Sequence, residues 1–227
     1  ERKYASVYEN AKKAFLNRFY KNGIVESDTE TAYALAYSVG FLTAEETKKR
    51  LPDVVREKGC LTTGFIGIRF ILPTLCDIGE TDLAYELIAK KDYPSWGYML
   101  ENGATTVWER WNGYTKENGF EDPEMNSFNH YSLGSCAEWL YSYVLGIKLS
   151  DNSDIVTISP AVSDKISYAK GGTKVKGGKI SVSWKRENNA VTIEVTADKD
   201  VKYRIDSDKF KIISPEKSGN NIKVVIR

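Results

Sequence analysis

One carboxylate in this sequence lies between two tryptophans, in the stretch "GATTVWERWNG" at residues 103–113. Glu109 is flanked by Trp108 and Trp111, and Arg110 follows it directly. A carboxylate among aromatic rings can serve as a proton donor or acceptor for a bound substrate. It can equally be an ordinary polar residue beside core aromatics, and Glu109 alone does not decide between the two interpretations.

The segment that carries Glu109, residues 92–130, is irregular and rich in glycine, proline, asparagine and aromatic residues. A loop this long inside a compact domain is uncommon and is usually functional. Aromatic faces pack against the C–H faces of sugars, while carboxylates and amides bond sugar hydroxyls, so the composition favours a carbohydrate site. For any single tryptophan, closing the end of the core is an equally good explanation. The aromatic residues predicted to lie on this loop are Trp96, Tyr98, Trp108, Trp111, Tyr114 and Phe128.

Other kinds of chemistry leave no motif in the sequence. The only histidine, His130, follows "MNSFN", and a lone histidine is more often structural than catalytic. There is no HExxH pair, glycine-rich phosphate loop or serine-nucleophile motif. Because Cys60, Cys76 and Cys136 are far apart and form no CxxC pair, we predict buried thiols rather than disulfides or a zinc site. No metal or cofactor is predicted.

Composition and charge narrow the class of protein. The 227 residues carry a net charge of +1, and no apolar run approaches the roughly 20 residues that a membrane helix needs. Residues 151–227 are mildly basic, but their basic side chains alternate with strand residues, which is typical of a solvated sheet face. We therefore predict neither a nucleic-acid partner nor a membrane.

Helix signals fill residues 1–147. Apolar residues recur at spacings of three and four along the first helix, which an Asn-Gly dipeptide ends. Ser27 with Glu30, and Thr43 with Glu46, form capping-box patterns before the next two helices. The apolar stripe on the first helix consists of Tyr4, Tyr8, Ala11, Phe15 and Phe19.

A buried helix followed by an amphipathic one is the clearest helical pair. Residues 64–79 are apolar almost all round and predict an inner helix that stops at Gly79. Thr81 can cap the amphipathic helix that follows, which makes the pair an αα-hairpin. With another apolar helix at 131–147, the alternation predicts a layered helical barrel or solenoid, and the lack of a fixed period counts against a simple repeat array.

The pattern changes from about residue 150. Short alternating segments separated by turn residues such as "GG", "ENN" and "SGNN" predict a small antiparallel β-sandwich. We place the domain boundary in "KLSDNSD", with a helical domain at 1–149 and the sandwich at 150–227. The predicted strands are 154–160, 179–186, 190–197, 201–207, 210–215 and 221–227.

Long runs of the sequence resemble one enzyme family. "YPSWGYMLENGATTVWERWNG" and "MNSFNHYSLGSCAEWLYSYVLGI" look like the C-terminal half of a bacterial α-L-rhamnosidase of glycoside hydrolase family 78. "DTETAYALAYSVGFL" and "LTTGFIGIRFILPTLCDIGETDLAYELI" resemble the segments that precede those motifs in the family. The resemblance covers residues 1 to about 148, whereas the tail resembles the family's C-terminal β-sandwich mainly in position and type.

The resemblance implies an α+β multidomain fold, with a partial (α/α)6 barrel of helical hairpins followed by the small antiparallel β-sandwich. It also implies hydrolysis of terminal α-L-rhamnosyl residues with inversion, for which Glu109 is the general base and His130 lines the sugar pocket. Family members often carry Gln where Glu30 stands, which puts a sugar contact from Glu30 in doubt. The other substrate-binding positions implied are Trp96, Trp108, Trp111 and Asn129.

The family's general acid lies in the N-terminal half of its barrel, which has no counterpart in these 227 residues. We therefore predict a C-terminal fragment that carries the base but not the acid and is inactive alone. The expected partners are a rhamnose-containing oligosaccharide, polysaccharide or plant glycoside, and a second copy of the chain that covers the inner face of helix 64–79. A cytoplasmic location is favoured, and secretion stays open because the N-terminus is missing.

Two other readings stay open at this point. The chain is compatible with a non-catalytic carbohydrate-binding or interaction fragment, since it lacks the acid. It is also compatible with another (α/α)6 sugar hydrolase or a lyase, because Tyr131 adjoins His130 and a lyase needs such a pair near the C5 proton.

Overall fold

A computed structural model describes residues 2–121, 123–150, 153–187, 190–206 and 212–226. Contacts divide the chain into two compact units, Glu1–Cys136 and Ala137–Arg227. The domain boundary predicted between residues 149 and 150 stays a prediction.

Helices make up most of the first unit, together with two small antiparallel hairpins. The first hairpin joins β1 (Tyr20–Lys21) to β2 (Ile24–Val25), and the second joins β3 (Tyr114–Thr115) to β4 (Gly119–Phe120). A 3₁₀ turn covers Pro123–Met125, and a last short helix, α9 (Cys136–Trp139), crosses into the second unit. The other helices are α1 (Arg2–Phe19), α2 (Glu30–Ser38), α3 (Ala44–Lys48), α4 (Leu51–Lys58), α5 (Ile68–Asp77), α6 (Thr81–Ala89), α7 (Trp96–Glu101) and α8 (Tyr131–Gly134).

The two predicted capping boxes have different outcomes. At α3 the prediction is confirmed, because the Thr43 amide donates to Glu46 Oε2 at 2.8 Å and the Glu46 amide donates to Thr43 Oγ1 at 3.2 Å. At α2 the prediction for Ser27 and Glu30 is wrong. Thr29 is the N-cap, and its hydroxyl accepts an amide of the first turn. Glu30 is the first helical residue, and its side chain is buried instead of reaching back to the cap.

Helices α5 and α6 form the predicted hairpin and pack against each other. Helix α5 begins at Ile68, later than predicted, because residues 65–67 form a turn. The chain leaves this helix through Gly79, whose φ of +82° suits glycine. Thr81 is the first residue of α6 and not its cap, which is Glu80 without a side-chain bond.

The expected exposure of the inner helix is not found. Four apolar side chains of α5 are at most 1% exposed, so the first unit already covers this face. Exposed apolar side chains lie instead on α1, where Tyr4 is 76% and Val7 58% exposed. The buried α5 residues are Ile68, Ile71, Leu72 and Leu75.

The described part of the second unit contains two β-sheets. The three-stranded sheet has the order β10-β6-β5, and the five-stranded sheet has the order β11-β12-β9-β8-β7. A π-helical turn at Leu140–Val144 precedes them. The strands are β5 (Ile147–Ser150), β6 (Ser153–Ile158), β7 (Tyr168–Val175), β8 (Gly178–Glu187), β9 (Ala190–Ala197), β10 (Lys202–Ile205), β11 (Ile212–Ser218) and β12 (Asn221–Ile226).

Most predicted strands are present, but β5 and β7 were missed. Gly171 and Gly172, read as turn residues, lie inside β7. A Cβ atom at Gly172 would lie 2.6 Å from the Ile180 carbonyl oxygen, so the glycine permits close passage of the neighbouring strand. Parts of the predicted strands, at 207, 210–211 and 227, lie outside the described residues.

The second unit is not purely antiparallel as predicted, because β10 pairs in parallel with β6. The alternation along β8 buries Ile180, Val182 and Trp184 on one face of the five-stranded sheet. The arrangement of the sheets as a sandwich, like the partial barrel, stays a prediction. Within the described residues, no helix has the length and apolar character required to span a membrane.

Candidate active site

Glu109 is held by residue 127 through both its main chain and its side chain. Its amide donates to the Ser127 carbonyl oxygen at 2.8 Å, and the Ser127 amide donates to Glu109 Oε2 at 2.8 Å. A carboxylate that accepts a backbone N–H forms one of the stronger kinds of protein hydrogen bond. The half-buried carboxylate is therefore fixed by a backbone amide.

The same pairing continues on both sides of this contact. The His130 amide donates to the Val107 carbonyl oxygen at 2.8 Å, and the Thr106 hydroxyl donates to the Phe128 carbonyl oxygen. Residues 106–109 and 127–130 therefore lie side by side. This arrangement places Glu109 and His130, which are far apart in sequence, on adjacent stretches of chain.

The orientation and tautomer of His130 follow from its contacts. Its Nδ1 accepts the Ser132 amide at 3.2 Å and thereby caps α8. In the neutral imidazole the proton is then on Nε2, which can donate to a ligand. The ring stacks with Phe65 and with Tyr131, each at a centroid distance of 5.0 Å.

Trp108 supports the loop from inside. It is only 4% exposed, and its ring meets Phe128 at 5.4 Å and Tyr114 at 6.1 Å, both edge to face. Contacts of this kind contribute about 0.5–1.5 kcal/mol beyond the area they bury. The structure thus favours core support over direct contact with a ligand for this residue.

Trp96 and Trp111 form a second aromatic pair, with their rings 5.1 Å apart and nearly perpendicular. Trp96 lies on α7, so the prediction that it lies on a loop is wrong, and its Nε1 donates to the Leu133 carbonyl oxygen at 2.9 Å. Trp111 is half-buried, and its Nε1 donates to the Thr63 carbonyl oxygen at 2.8 Å. Both indoles therefore have fixed orientations.

Two asparagines follow the acidic turn at Pro123–Met125. Asn129 is exposed, and its backbone N–H donates to Ser127 Oγ at 3.2 Å. Asn126 was missed by sequence reasoning. Its Nδ2 donates to the Gly113 carbonyl oxygen at 2.8 Å, which links the residue before β3 to the residue before Ser127.

Glu30 was also missed as a contributor to this region. It is 0% exposed, and its Oε2 accepts the Thr62 amide at 2.8 Å. Burial raises the pKa of Glu30 above its ordinary value, while the hydrogen bonds from Thr62 act in the opposite direction. Its full burial removes any direct sugar contact within this unit, and the Gln-for-Glu difference noted above was the only signal in the sequence.

The assembled groups suit recognition of a polyhydroxylated ligand. A carboxylate oxygen, an imidazole N–H and aromatic rings belong to two paired stretches of chain, held mainly by hydrogen bonds to backbone. Within the part of the chain that the structure describes, no group of three or more His, Cys, Asp or Glu side chains is arranged to hold a metal ion.

Comparisons with known proteins agree on one family. The family described as the bacterial alpha-L-rhamnosidase 6 hairpin glycosidase domain matches residues 1–144. An alpha-L-rhamnosidase of Formosa agariphila is 34% identical over 98% of this chain and 25% of its own length. One from an Alteromonas species is 36% identical over 86% of this chain and 22% of its own length.

A solved structure gives the same result. The crystal structure of Streptomyces avermitilis alpha-L-rhamnosidase complexed with L-rhamnose matches with a TM-score of 0.85 and 28% identity. The match covers 99% of this chain and 23% of that one. The chain therefore spans about a quarter of the length of the relatives it matches.

Proposed function

We propose that this chain, which belongs to the family of bacterial alpha-L-rhamnosidase six-hairpin glycosidase domains, supplies part of the active site of an enzyme that hydrolyses terminal α-L-rhamnosyl residues from glycosides. The observation that carries the proposal is the backbone-held carboxylate of Glu109 beside the stretch that bears His130. The substrate is a rhamnose-containing oligosaccharide, polysaccharide or plant glycoside.

Glu109 acts as the general base of an inverting reaction. It removes a proton from a water molecule whose oxygen attacks the anomeric carbon, while the bond to the leaving oxygen breaks. A general acid gives its proton to that oxygen. In inverting enzymes the two carboxyl groups stand about 6.5–9.5 Å apart to leave room for the water.

His130 orients the sugar. Its Nδ1 is occupied by the Ser132 amide, so Nε2–H is the group that donates to a rhamnose hydroxyl. Trp111 and Asn129 lie close to Glu109 and Ser127 in sequence and complete the sugar-binding side, while Trp96 and Trp108 keep the surrounding chain in place.

The general acid belongs to the part of the enzyme that these 227 residues do not include. This assignment rests on the length of the relatives, of which the chain spans about a quarter. A general acid contributes about 10²–10⁴-fold to a rate. We therefore expect the isolated chain to release p-nitrophenol from its α-L-rhamnoside far more slowly than the full-length protein. Equal rates would contradict the missing acid.

A second copy of the chain stays a proposal as well. The exposed side chains of Tyr4 and Val7 give α1 an apolar surface that a partner could cover. Light scattering at increasing concentration tests this, and a monomer at every concentration would contradict it.

The stereochemistry of the product tests the proposed reaction. The full-length protein is mixed with an α-L-rhamnoside, and the first-formed sugar is followed by ¹H NMR before it mutarotates. Inversion predicts β-L-rhamnose first. Release of α-L-rhamnose first, or no release at all, would contradict the proposal.

A further inference from the structure

The buried carboxylate of Glu30 has a partner on one oxygen only. Oε2 accepts the Thr62 amide at 2.8 Å, whereas Oε1 is buried and has no hydrogen-bond partner among the described residues. Burying a charged or polar group without full compensation is costly, so such a group calls for an explanation. Capping of α2 is not the explanation, since Thr29 already performs it.

The segment that Glu30 holds contacts two parts of the candidate site. The Thr63 carbonyl oxygen accepts Trp111 Nε1 at 2.8 Å, and Thr63 itself is 1% exposed. Two residues further on, the Phe65 ring stacks with His130 at 5.0 Å. Residues 62–65 thus contact both the stretch that bears Glu109 and the side chain of His130.

The position of Glu30 in the fold suits an anchor. It is the first residue of a nine-residue helix, where the positive end of the helix dipole favours a carboxylate. The Thr62 amide links residues 61–64 to this carboxylate at 2.8 Å. The start of α2 is therefore joined to residues 62–65 through this carboxylate.

We infer that Glu30 is a positioning residue, which acts on the site through residues 62–65 and touches no substrate. This inference rests on the proposed function for its catalytic consequence, but its structural part does not. Without the Thr62 contact, the Trp111 indole and the His130 ring lose a common support. Turnover then falls although Glu109 and its Ser127 contact are unchanged.

Two substitutions of similar size separate anchoring from mere filling of space. Glu30→Gln keeps an oxygen that accepts the Thr62 amide, whereas Glu30→Met keeps the bulk and removes the acceptor. In the full-length protein we expect Glu30→Met to lower kcat at least about tenfold, because the Thr62 amide loses its acceptor and residues 62–65 lose their link to α2. Glu30→Gln should restore the rate, and KM should change less than kcat.

Hydrogen exchange measured by mass spectrometry tests the positioning role of Glu30 without reference to activity. Glu30→Met should speed exchange about tenfold in peptides that cover 61–66, 105–113 and 127–132, and Glu30→Gln should not. Thr47→Val is the matched control, since Thr47 is equally buried but its hydroxyl donates to Thr43. Its effect should stay near α3.

Several outcomes would overturn the inference. Faster exchange confined to 61–66, or equal effects of Gln and Met, would show that Glu30 does not act on the site. If the Met variant does not fold, the unsubstituted protein provides the test. The inference requires that hydrogen exchange in peptides 61–66 and 105–113 depends on denaturant concentration in the same way, and a different dependence would contradict it. If Glu30→Met speeds exchange in all three peptides but the full-length protein has no rhamnosidase activity, the proposed function is contradicted, and the structural role of Glu30 as a positioning residue is not.

Discussion

The irregular segment 102–130 and the five-stranded sheet use hydrogen bonds in different ways. In the sheet, each bond is one of a ladder, as where β8 and β9 pair without interruption from Ile180↔Ala197 to Glu187↔Ala190. The segment has only a two-residue ladder between β3 and β4 and the short pairing of 106–109 with 127–130, and side-chain bonds such as Ser127 to Glu109 and Asn126 to Gly113 hold the rest. Loss of one bond is therefore buffered in the sheet but displaces a functional group in the segment.

The comparison gives a physical reason for proposing the active site in the segment and not in the sheet. A ladder fixes backbone, and its buried side chains serve the core. In the segment, backbone groups that no regular sheet uses are available for other contacts. The Ser127 amide holds the Glu109 carboxylate, and the Val107 carbonyl oxygen holds the backbone of His130. Stability is expected to depend mainly on the sheet, and activity mainly on the segment.

The largest effect on stability is expected in the sheet, from Trp184→Ala. Trp184 is 2% exposed, and its Nε1 donates to the Val144 carbonyl oxygen at 2.6 Å. Removing the ring should lower the free energy of unfolding by about 3–5 kcal/mol. Urea denaturation followed by circular dichroism measures it. The neighbouring exposed Lys185→Ala should change it by less than about 0.5 kcal/mol. A loss of similar size from Lys185→Ala would contradict the claim that the buried side chains of the sheet determine its stability.

A smaller loss of stability but a larger loss of activity is expected from Asn126→Asp. The carboxylate has the same shape but cannot donate to the Gly113 carbonyl oxygen, which should cost about 1–3 kcal/mol. Turnover of the full-length protein should also fall, because residues 113 and 126 are no longer joined by a hydrogen bond and the segment loses this cross-link. Asn118→Ala, at an exposed asparagine of the same segment, is the control. Unchanged turnover in Asn126→Asp would contradict the claim that activity depends mainly on the segment.

The smallest effect is a pH dependence of stability that arises from Glu30. Burial raises its pKa in the folded chain above the ordinary 4.5, so the folded state binds its proton more tightly than the unfolded state does. Its contribution is fully present below pH 4.5 and is lost as the pH rises through the raised pKa. Glu30→Gln lacks this dependence. The urea midpoint of the unsubstituted chain should therefore fall relative to that of Glu30→Gln as the pH rises above 4.5. A difference that is constant with pH would exclude this effect.

The same contrast shows how much the sequence could predict. The alternation in "AVTIEVTA" predicted 190–197, and β9 has these bounds, because a half-buried strand imposes period two on its own residues. Strand β7 was missed because Gly171 and Gly172 resemble a turn, and only the adjacent strand explains them.

Prediction of the site was limited for a related reason. The types of Glu109 and His130, and the motifs around them, predicted them as site residues, and these roles stay predictions. Their pairing could not be read from the sequence, because backbone groups of Val107 and Ser127 form the contacts and any residue supplies those groups. Glu30 was misread as a cap because its partner, Thr62, is 32 residues away.

The most direct test of the account is to neutralise Glu109 and, separately, an exposed glutamate of the same segment. Glu109→Gln and Glu117→Gln are made in the full-length protein, and kcat for an α-L-rhamnoside is measured together with binding of L-rhamnose. The account predicts that Glu109→Gln lowers kcat by about 10²-fold or more while rhamnose still binds, and that Glu117→Gln leaves both unchanged. Retained turnover in Glu109→Gln would contradict it.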